Sequence, residues 1–438
     1  MSISHQRKYE IIDALRRGSV PRNSLDAFAV GLDRLEPTLV EELTKVSAGG
    51  AVFKAVRGEY GCGKTFFARW LCDRARKLGF ATSEVQVSET ETPLHRLETV
   101  YRRLTERLAT ADTPQGALRN IVDGWFYTLE EDVLAEGTID ASDAAALAAR
   151  THDLLERRLA KVCEATPMFS AALRGYHAAQ GEGDQATADG ILAWLSGQPN
   201  VAASAKRFAG VKGDIDHFGA LSFLQGILAV LRDSGHAGLL LVLDEVETIQ
   251  RVRGDVRDKS LNALRQLLDE VDAGRFPGLY ILITGTQGFF EGPQGIARLE
   301  PLAQRLYVDF KIDARFDNPR AVQLRLPGFD LDRLCLVGCK IRDIFQELSK
   351  SPDRIGFRCD AKYVRNLAES VAGNFGGKVG VAPRVFLRKL VDVMDRVDQH
   401  PDFDPYRDYR LNIEEQELTA NERQAMLAKN VDDIELDL

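Results

Sequence analysis

The segment Gly58-Glu59-Tyr60-Gly61-Cys62-Gly63-Lys64-Thr65 matches the spacing G-x-x-x-x-G-K-S/T completely, and its residue types suit contact with a polyphosphate. Gly58, Gly61 and Gly63 let the backbone turn and approach phosphate oxygens closely. Successive backbone N–H groups and the N-terminus of the helix that follows attract the anion. Lys64 offers a point charge to the outer phosphates, and Thr65 offers a hydroxyl to magnesium. Glu59, Tyr60, Cys62 and Phe66 belong to the same binding stretch, Cys62 through its backbone. A chance glycine-rich turn is the competing reading. It lacks the context present here, an apolar run before the loop and a helical pattern after it. The loop therefore predicts a site for a nucleoside triphosphate, ATP with Mg2+.

A second constellation is Leu239-Leu240-Leu241-Val242-Leu243-Asp244-Glu245-Val246-Glu247. Adjacent acids at the end of a buried strand are costly unless they serve a cation or a reaction. In an α/β sheet the carboxyl ends of strands lie beside the ligand crevice. There Asp244 can order magnesium through water, and Glu245 can activate water for attack on the terminal phosphate. Glu247 reads as a solvated or capping residue. In Tyr280-Ile281-Leu282-Ile283-Thr284-Gly285-Thr286-Gln287, Thr284 and Thr286 are candidates to polarise that water; ordinary strand-end hydroxyls are an equal alternative for each. Arg298 and Arg305 flank a short segment before an expected strand. Either could reach a neighbouring subunit's triphosphate as an arginine finger, or form a surface salt bridge. Arg384, in Gly380-Val381-Ala382-Pro383-Arg384, opens a helix. It could contact the γ-phosphate and couple a helical lid to nucleotide state, or be solvated.

The elements that must position these groups follow from hydrophobic periodicity. Residues 6–17 read as an amphipathic helix, and a second helix, capped by Ser24, runs to about Lys45. Ala51–Val56 is a strand entering the glycine loop, Thr65–Leu78 a helix, Ala81–Val87 a strand and Pro93–Ala109 a helix. Later come a helix at Phe218–Asp233, the strand Leu239–Leu243, a helix at Ser260–Ala273, the strand Tyr280–Thr284 and a last strand at Arg305–Phe310. Apolar central strands alternating with helices predict a parallel sheet covered on both faces.

This gives an α/β phosphate-loop NTPase with five parts. Residues 1–109 form the first part of the core. Residues 110–217, rich in alanine and helical periodicity and broken at Gly137, Gly181 and Gly197, form a helical insertion, with a loop at Ala178–Asp189. Residues 218–317 complete the core. Residues 318–400 form a small all-helical lid, with helices at Asp330–Ser349, Ala361–Val371 and Arg384–Asp398. Residues 401–438 hold a weak strand at Tyr409–Ile413 and an acidic tail, 432–438.

The composition is that of an ordinary globular chain, with 45% hydrophobic and 28% charged residues among 438. A formal net charge of -8 argues against coating nucleic acid by bulk electrostatics. The six cysteines include no C-x-x-C pair, and such sparse use fits a reducing cytoplasm. Cys335 and Cys339, four apart in a helical pattern, read as core thiols. No apolar run approaches the ~18 residues of a membrane span, and the N-terminus carries no apolar signal segment.

The order of these motifs resembles the AAA+ ATPases, specifically the branch of origin-recognition initiators. The glycine loop and Asp244-Glu245 resemble that family's Walker A and Walker B. Val20-Pro21-Arg22 resembles its adenine-contact segment, which implies that Val20 and Pro21 touch the base. The resemblance puts Thr284 or Thr286 at the first sensor, Arg384 at the second and Arg305 near the finger. Closer still is a resemblance to the ATP-binding protein of bacterial BREX phage-defence systems, BrxD-like. It is carried by Arg57–Trp70, by Val87-Ser88-Glu89-Thr90-Glu91-Thr92-Pro93-Leu94-His95 and by Val20-Pro21 followed by Phe28-Ala29-Val30-Gly31-Leu32. It implies a bacterial cytoplasmic ATPase that works with a superfamily-two helicase, on foreign double-stranded DNA. Two departures from the initiators stand out: the long connection between the second strand and the Asp-Glu strand, and a chain too short after Asp398 for a full winged-helix domain.

Two classes of function follow. One is an oligomeric ATPase acting on DNA or a DNA-bound partner. Arg102, Arg103 and Arg107 are candidates for a DNA surface, though diluted by Glu98 and Glu106. The other is a nucleotide-dependent interaction switch, with slow hydrolysis and the helical insertion as docking surface. A small-molecule kinase is a third reading, disfavoured by the separate Asp-Glu strand and the helical lid.

Overall fold

A computed structural model describes residues 3–137, 144–375, 383–419 and 422–423. Its centre is a five-stranded parallel sheet in the order β2-β3-β4-β1-β5. The strands are β1 (Val52–Arg57), β2 (Ala81–Gln86), β3 (Leu239–Asp244), β4 (Leu279–Gly285) and β5 (Gln323–Arg325). β3 and β4 are buried along their whole length, which is why both read as unbroken apolar runs rather than alternating ones. Alternate residues still serve opposite faces. Leu239, Leu241, Leu243, Ile281 and Ile283 join one hydrophobic cluster, whereas Leu240, Val242, Tyr280 and Leu282 join another.

Helices α1 (His5–Arg16) and α2 (Glu36–Ser47) precede the sheet. β1 leads into α3 (Lys64–Lys77), and β2 into α4 (Leu97–Glu106). The connection from α4 to β3 carries α5 (Leu118–Ala135), α6 (Ala144–Ala165), α7 (Pro167–Gly181), α8 (Gln185–Leu195), α9 (Ala203–Phe208) and α10 (His217–Asp233). α11 (Gly254–Asp272) joins β3 to β4, and α12 (Gln287–Glu291) and α13 (Glu300–Arg305) lie between β4 and β5. After β5 come α14 (Leu331–Gln346), α15 (Pro352–Arg358), α16 (Ala361–Asn374), α17 (Pro383–Gln399) and α18 (Pro405–Asp408).

The helices of the long connection pack on the first face of the sheet. Trp125, Phe169, Trp194 and Phe223 are fully buried there, and the two indoles keep their N–H groups satisfied through Asp233 and the Gly213 carbonyl. α1, α2, α3 and the helices after β5 share the cluster on the second face, with Phe67, Trp70, Phe386 and Leu390 among its buried members. Among the described residues, no helix is long and apolar enough to cross a membrane.

Several local expectations need correction. The strand expected at Arg305–Phe310 is absent. Pro301 opens α13 through Arg305, and the last strand forms at Gln323–Arg325, where a buried pair can join the ladder beside β1. Ser24 caps no long helix: it sits at φ 58° and starts a short turn at Leu25–Ala27, and α2 begins only at Glu36. The intervening chain carries Phe28 and Leu32 to the cavity described below. The loop expected at Ala178–Asp189 shrinks to a turn between α7 and α8, which Asp184 caps. α4 is shorter than Pro93–Ala109, because Ala109 leaves the helix and pairs with Thr82. Tyr409–Ile413 forms no strand; Ile413 packs into the second cluster instead. The helix α15 was not anticipated. The acidic tail 432–438 and residues 380–382 lie outside the described residues.

Candidate nucleotide site

The glycine loop sits at the carboxyl end of β1, flanked by β4 and β5. Gly61 and Gly63 have φ of 81° and 95°, a region that disfavours any residue with a Cβ. A Cβ on Gly58 would collide with the Cys62 sulfur. Gly58 is tied to β4 by its N–H, which donates to the Gly285 carbonyl at 3.1 Å. The Cys62 thiol is buried, which pushes its pKa up and disfavours the thiolate needed for redox chemistry.

Lys64 begins α3 and is only 8% exposed. Its ammonium donates to the Gly58 carbonyl at 2.8 Å and the Glu59 carbonyl at 3.3 Å, and lies over the Tyr60 ring. The Thr65 hydroxyl donates to Asp244 Oδ2 at 2.9 Å. The other Asp244 oxygen accepts from the Thr284 hydroxyl. Thr284 in turn accepts the Glu245 amide at 3.2 Å. Burial pushes the Asp244 carboxyl up, and the hydroxyls of Thr284 and Thr65 oppose that by favouring the charge. Thr65 and Asp244, far apart in sequence, thus converge on one point with hard oxygen donors, the type magnesium prefers. Among the described residues no group of three or more His, Cys, Asp or Glu could hold a metal. A cation here would draw most of its ligands from phosphate and water, as magnesium at nucleotide sites does.

Glu245 stands at φ 62°, one of three non-glycine residues with positive φ among those described. Such strain persists only where the surroundings over-determine it. Its carboxylate accepts from Gln86 Nε2 at 2.7 Å. Gln86 ends β2 in register with Asp244. Glu247 departs from the reading of a solvated or capping side chain. It is 4% exposed and its carboxylate is 3.9 Å from the Lys64 ammonium. Burial pushes its pKa up to about 7, against the pull of Lys64.

A cavity of about 490 Å³ opens from the glycine loop, within the range for small-molecule sites. Val20, Pro21, Tyr60 through Phe67, Glu245 and Glu247 all line it. Phe28, Phe66 and Phe329 give it aromatic walls, with Phe28 edge-on to Phe66 at 5.3 Å between centroids. Val20 is held there by Arg69, which donates to its carbonyl at 2.6 Å.

Arg384 also lines the cavity, from α17. Its guanidinium is paired with Glu422 and donates to the Glu417 carbonyl at 2.7 Å. Thr286 lies apart from Asp244, and its hydroxyl caps α12 by accepting the Phe289 amide at 3.3 Å. Arg305 does not line the cavity; it pairs with Asp269 and lies 3.7 Å from Asp272 on α11. Arg298 pairs with Asp258 on the same helix. Three features of the site were missed in sequence: the Gln86 contact, the burial of Glu247 and the Glu422 partner of Arg384. Only Gln86 carried a signal, as a polar residue closing a strand beside the Asp-Glu strand.

The molecule is an α/β protein whose parallel sheet, flanked by helices, carries a complete phosphate-loop signature at the carboxyl end of its strands. By its family model it belongs to the BREX system ATP-binding protein family BrxC/D, which matches residues 3–413. Comparisons with curated proteins and with solved structures gave no match.

Proposed function

We propose that this chain binds ATP with Mg2+ and hydrolyses it to ADP and phosphate, as a AAA+ protein of bacterial phage defence. It acts in the cytoplasm as a homo-oligomer, on double-stranded DNA or through a superfamily-two helicase partner. The observation that carries the catalytic reading is the convergence of Lys64, Thr65, Asp244, Glu245 and Thr284 at one end of the sheet. The family's name, which calls its members ATP-binding proteins of the BREX system, supports the choice of nucleotide.

In this reading the phosphates take over the Lys64 ammonium from the Gly58 and Glu59 carbonyls. Thr65 and Asp244 hold the magnesium, which neutralises charge on the phosphate oxygens when bound. Thr284 keeps both acids in place, donating to Asp244 and accepting the Glu245 amide. Glu245 takes a proton from the attacking water at its carboxylate. Val20, Pro21 and the aromatic walls receive the base. The helices of 318–400 serve as the lid and those of 110–217 as the inserted module. The test is ATP turnover with and without duplex DNA, for wild type and Glu245→Gln. Turnover that DNA stimulates and the substitution abolishes supports this reading.

A specific pair of contacts favours the second reading, a switch with slow hydrolysis. Glu245 is held by Gln86 and Arg384 by Glu422, so two groups of the site are already engaged. Slow turnover indifferent to DNA, with partner binding that requires ATP, supports the switch.

Arg384 yields a prediction with paired signs. If it reads the terminal phosphate, Arg384→Ala weakens ATP binding by about ten- to a hundredfold, the worth of one charge-assisted contact. Glu422→Gln frees the guanidinium and tightens binding. Titration with a fluorescent ATP analogue measures both, and an Arg384→Ala protein that binds like wild type removes Arg384 from the site. For Arg305, mixing Arg305→Ala with Lys64→Ala subunits is expected to restore part of the turnover, because an arginine acting across subunits completes the intact site of its neighbour. No recovery leaves Arg305 as the partner of Asp269 alone.

A further inference from the structure

Among the described residues, Glu247 is the one acid of the cavity wall that the proposed reaction leaves without a role. Its two oxygens have no hydrogen-bond partner on any other described residue, only its own backbone amide nearby, although the side chain is only 4% exposed. A buried carboxyl without partners is unfavourable unless a nearby cation or a bound group compensates. The nearest cation is the Lys64 ammonium at 3.9 Å, which already donates to two loop carbonyls. Around the pair stand Tyr60 and Cys62 of the glycine loop and Asp244 and Glu245 at the end of β3. Arg251 lies beyond Tyr60 and bonds to its side chain.

We propose that Glu247 is a positioning residue of the triphosphate site: its carboxylate holds the Lys64 ammonium at the head of the glycine loop and competes with the phosphates for that charge, so that it sets the strength of ATP binding. This rests on the reading of the cavity as an ATP site. The geometry supports it in three ways. Glu247 belongs to the wall of the cavity that the phosphates would enter. It adjoins the single lysine of the loop. It also belongs to the short helix Val246–Arg251, which Glu245 caps, so the base and the lysine's counter-charge are fixed by adjoining residues of one turn.

The sign of the effect follows from charge. A negative oxygen pair this close offsets the lysine's attraction for phosphate, so the ionised carboxyl weakens ATP binding and the protonated one does not. At an effective dielectric near 20, two unit charges some 6–8 Å apart interact by more than a factor of ten in affinity; partial screening makes about tenfold the expected size.

The experiment measures ATP affinity from pH 6 to 8 for wild type and Glu247→Gln, an isosteric change that removes only the charge. Changes in the nucleotide's own ionisation cancel in the ratio of the two constants. Glu247→Gln is expected to bind like wild type at pH 6 and about tenfold more tightly at pH 8. KM should fall with the dissociation constant while kcat also falls, because the lysine loses its restraint. A packing role alone would leave no pH-dependent ratio. The melting temperature of Glu247→Gln at pH 8 should equal or exceed that of wild type. If it is lower, Glu247→Asp, which keeps the charge, decides: a pH-dependent ratio to Glu247→Gln supports the proposal, and a ratio of one at every pH overturns it. A ratio of one at every pH, or weaker binding by Glu247→Gln throughout, overturns the proposal and leaves the ATP site standing. A wild type that binds no ATP at any pH overturns the ATP reading itself, and the proposal with it.

Discussion

Lys64→Ala is expected to lower ATP affinity by at least about a hundredfold, as contacts from an ammonium to charged oxygens contribute roughly 1.5–3 kcal/mol each and more than one phosphate oxygen is within its reach. Arg384, another cation of the cavity wall, is already paired with Glu422. The aromatic neighbour Tyr60 and the buried acid Glu247 surround the same spot, so removal leaves negative character where positive charge was. Thermal melting supplies a second readout. A ligand present at a hundred times its dissociation constant stabilises the folded state by about 2.7 kcal/mol, so ATP at that level should raise the melting temperature of the wild type, while Lys64→Ala, bound a hundredfold more weakly, gains at most about 0.4 kcal/mol. Without nucleotide the variant should still fold, since Lys64 donates to carbonyls of its own loop and Glu247, left without its cation, can take up a proton. Normal ATP binding by Lys64→Ala would remove the central claim about this cavity.

Glu245→Gln is expected to lower kcat by about 10²–10⁴, the usual contribution of a positioned general base, while ATP binding persists. The two effects separate because Glu245 joins the network of Thr65, Asp244 and Thr284 only through its backbone amide, which the substitution keeps, while its side chain accepts from Gln86. The substitution keeps shape and removes proton-accepting ability, and Gln86 can still donate to the amide oxygen that replaces Glu245 Oε2. Phosphate release and nucleotide titration, measured on one preparation, check the split. Loss of both binding and turnover would make Glu245 structural; full turnover would move the base elsewhere, with Glu247 the nearest acid on the cavity wall.

Much of the site was legible in sequence because it is built from local segments. The phosphate loop follows its strand and opens its helix within one stretch, and its glycines are required by backbone geometry that neighbours along the chain impose. Asp244 closes a run of five apolar residues, and a charge there is noticeable whatever the fold. The same logic delivered β1, β2, β3, β4 and α3 to within a residue or two. It failed at β5, a three-residue strand whose partner is β1. A strand that short has little periodicity to read, and its existence depends on an edge supplied by residues far away in sequence.

By itself, then, the sequence determined the phosphate loop, the Asp-Glu strand end and the alternation of strands and helices, because each is written into contiguous residues with their own backbone demands. The tertiary structure alone decided which distant groups share the site. Thr284 meets Asp244 because β4 lies beside β3, while Thr286, two residues on, turns away to cap α12. Gln86 reaches Glu245 because β2 pairs with β3 across the long helical connection between them. Glu247, which reads as a surface acid, is buried against Lys64 because the turn after β3 folds under the glycine loop. A side chain's chemistry is carried in its residue type, but its burial and its partners are properties of the packing. Those properties made an acid dismissed in the sequence the neighbour of the lysine that the sequence marked first.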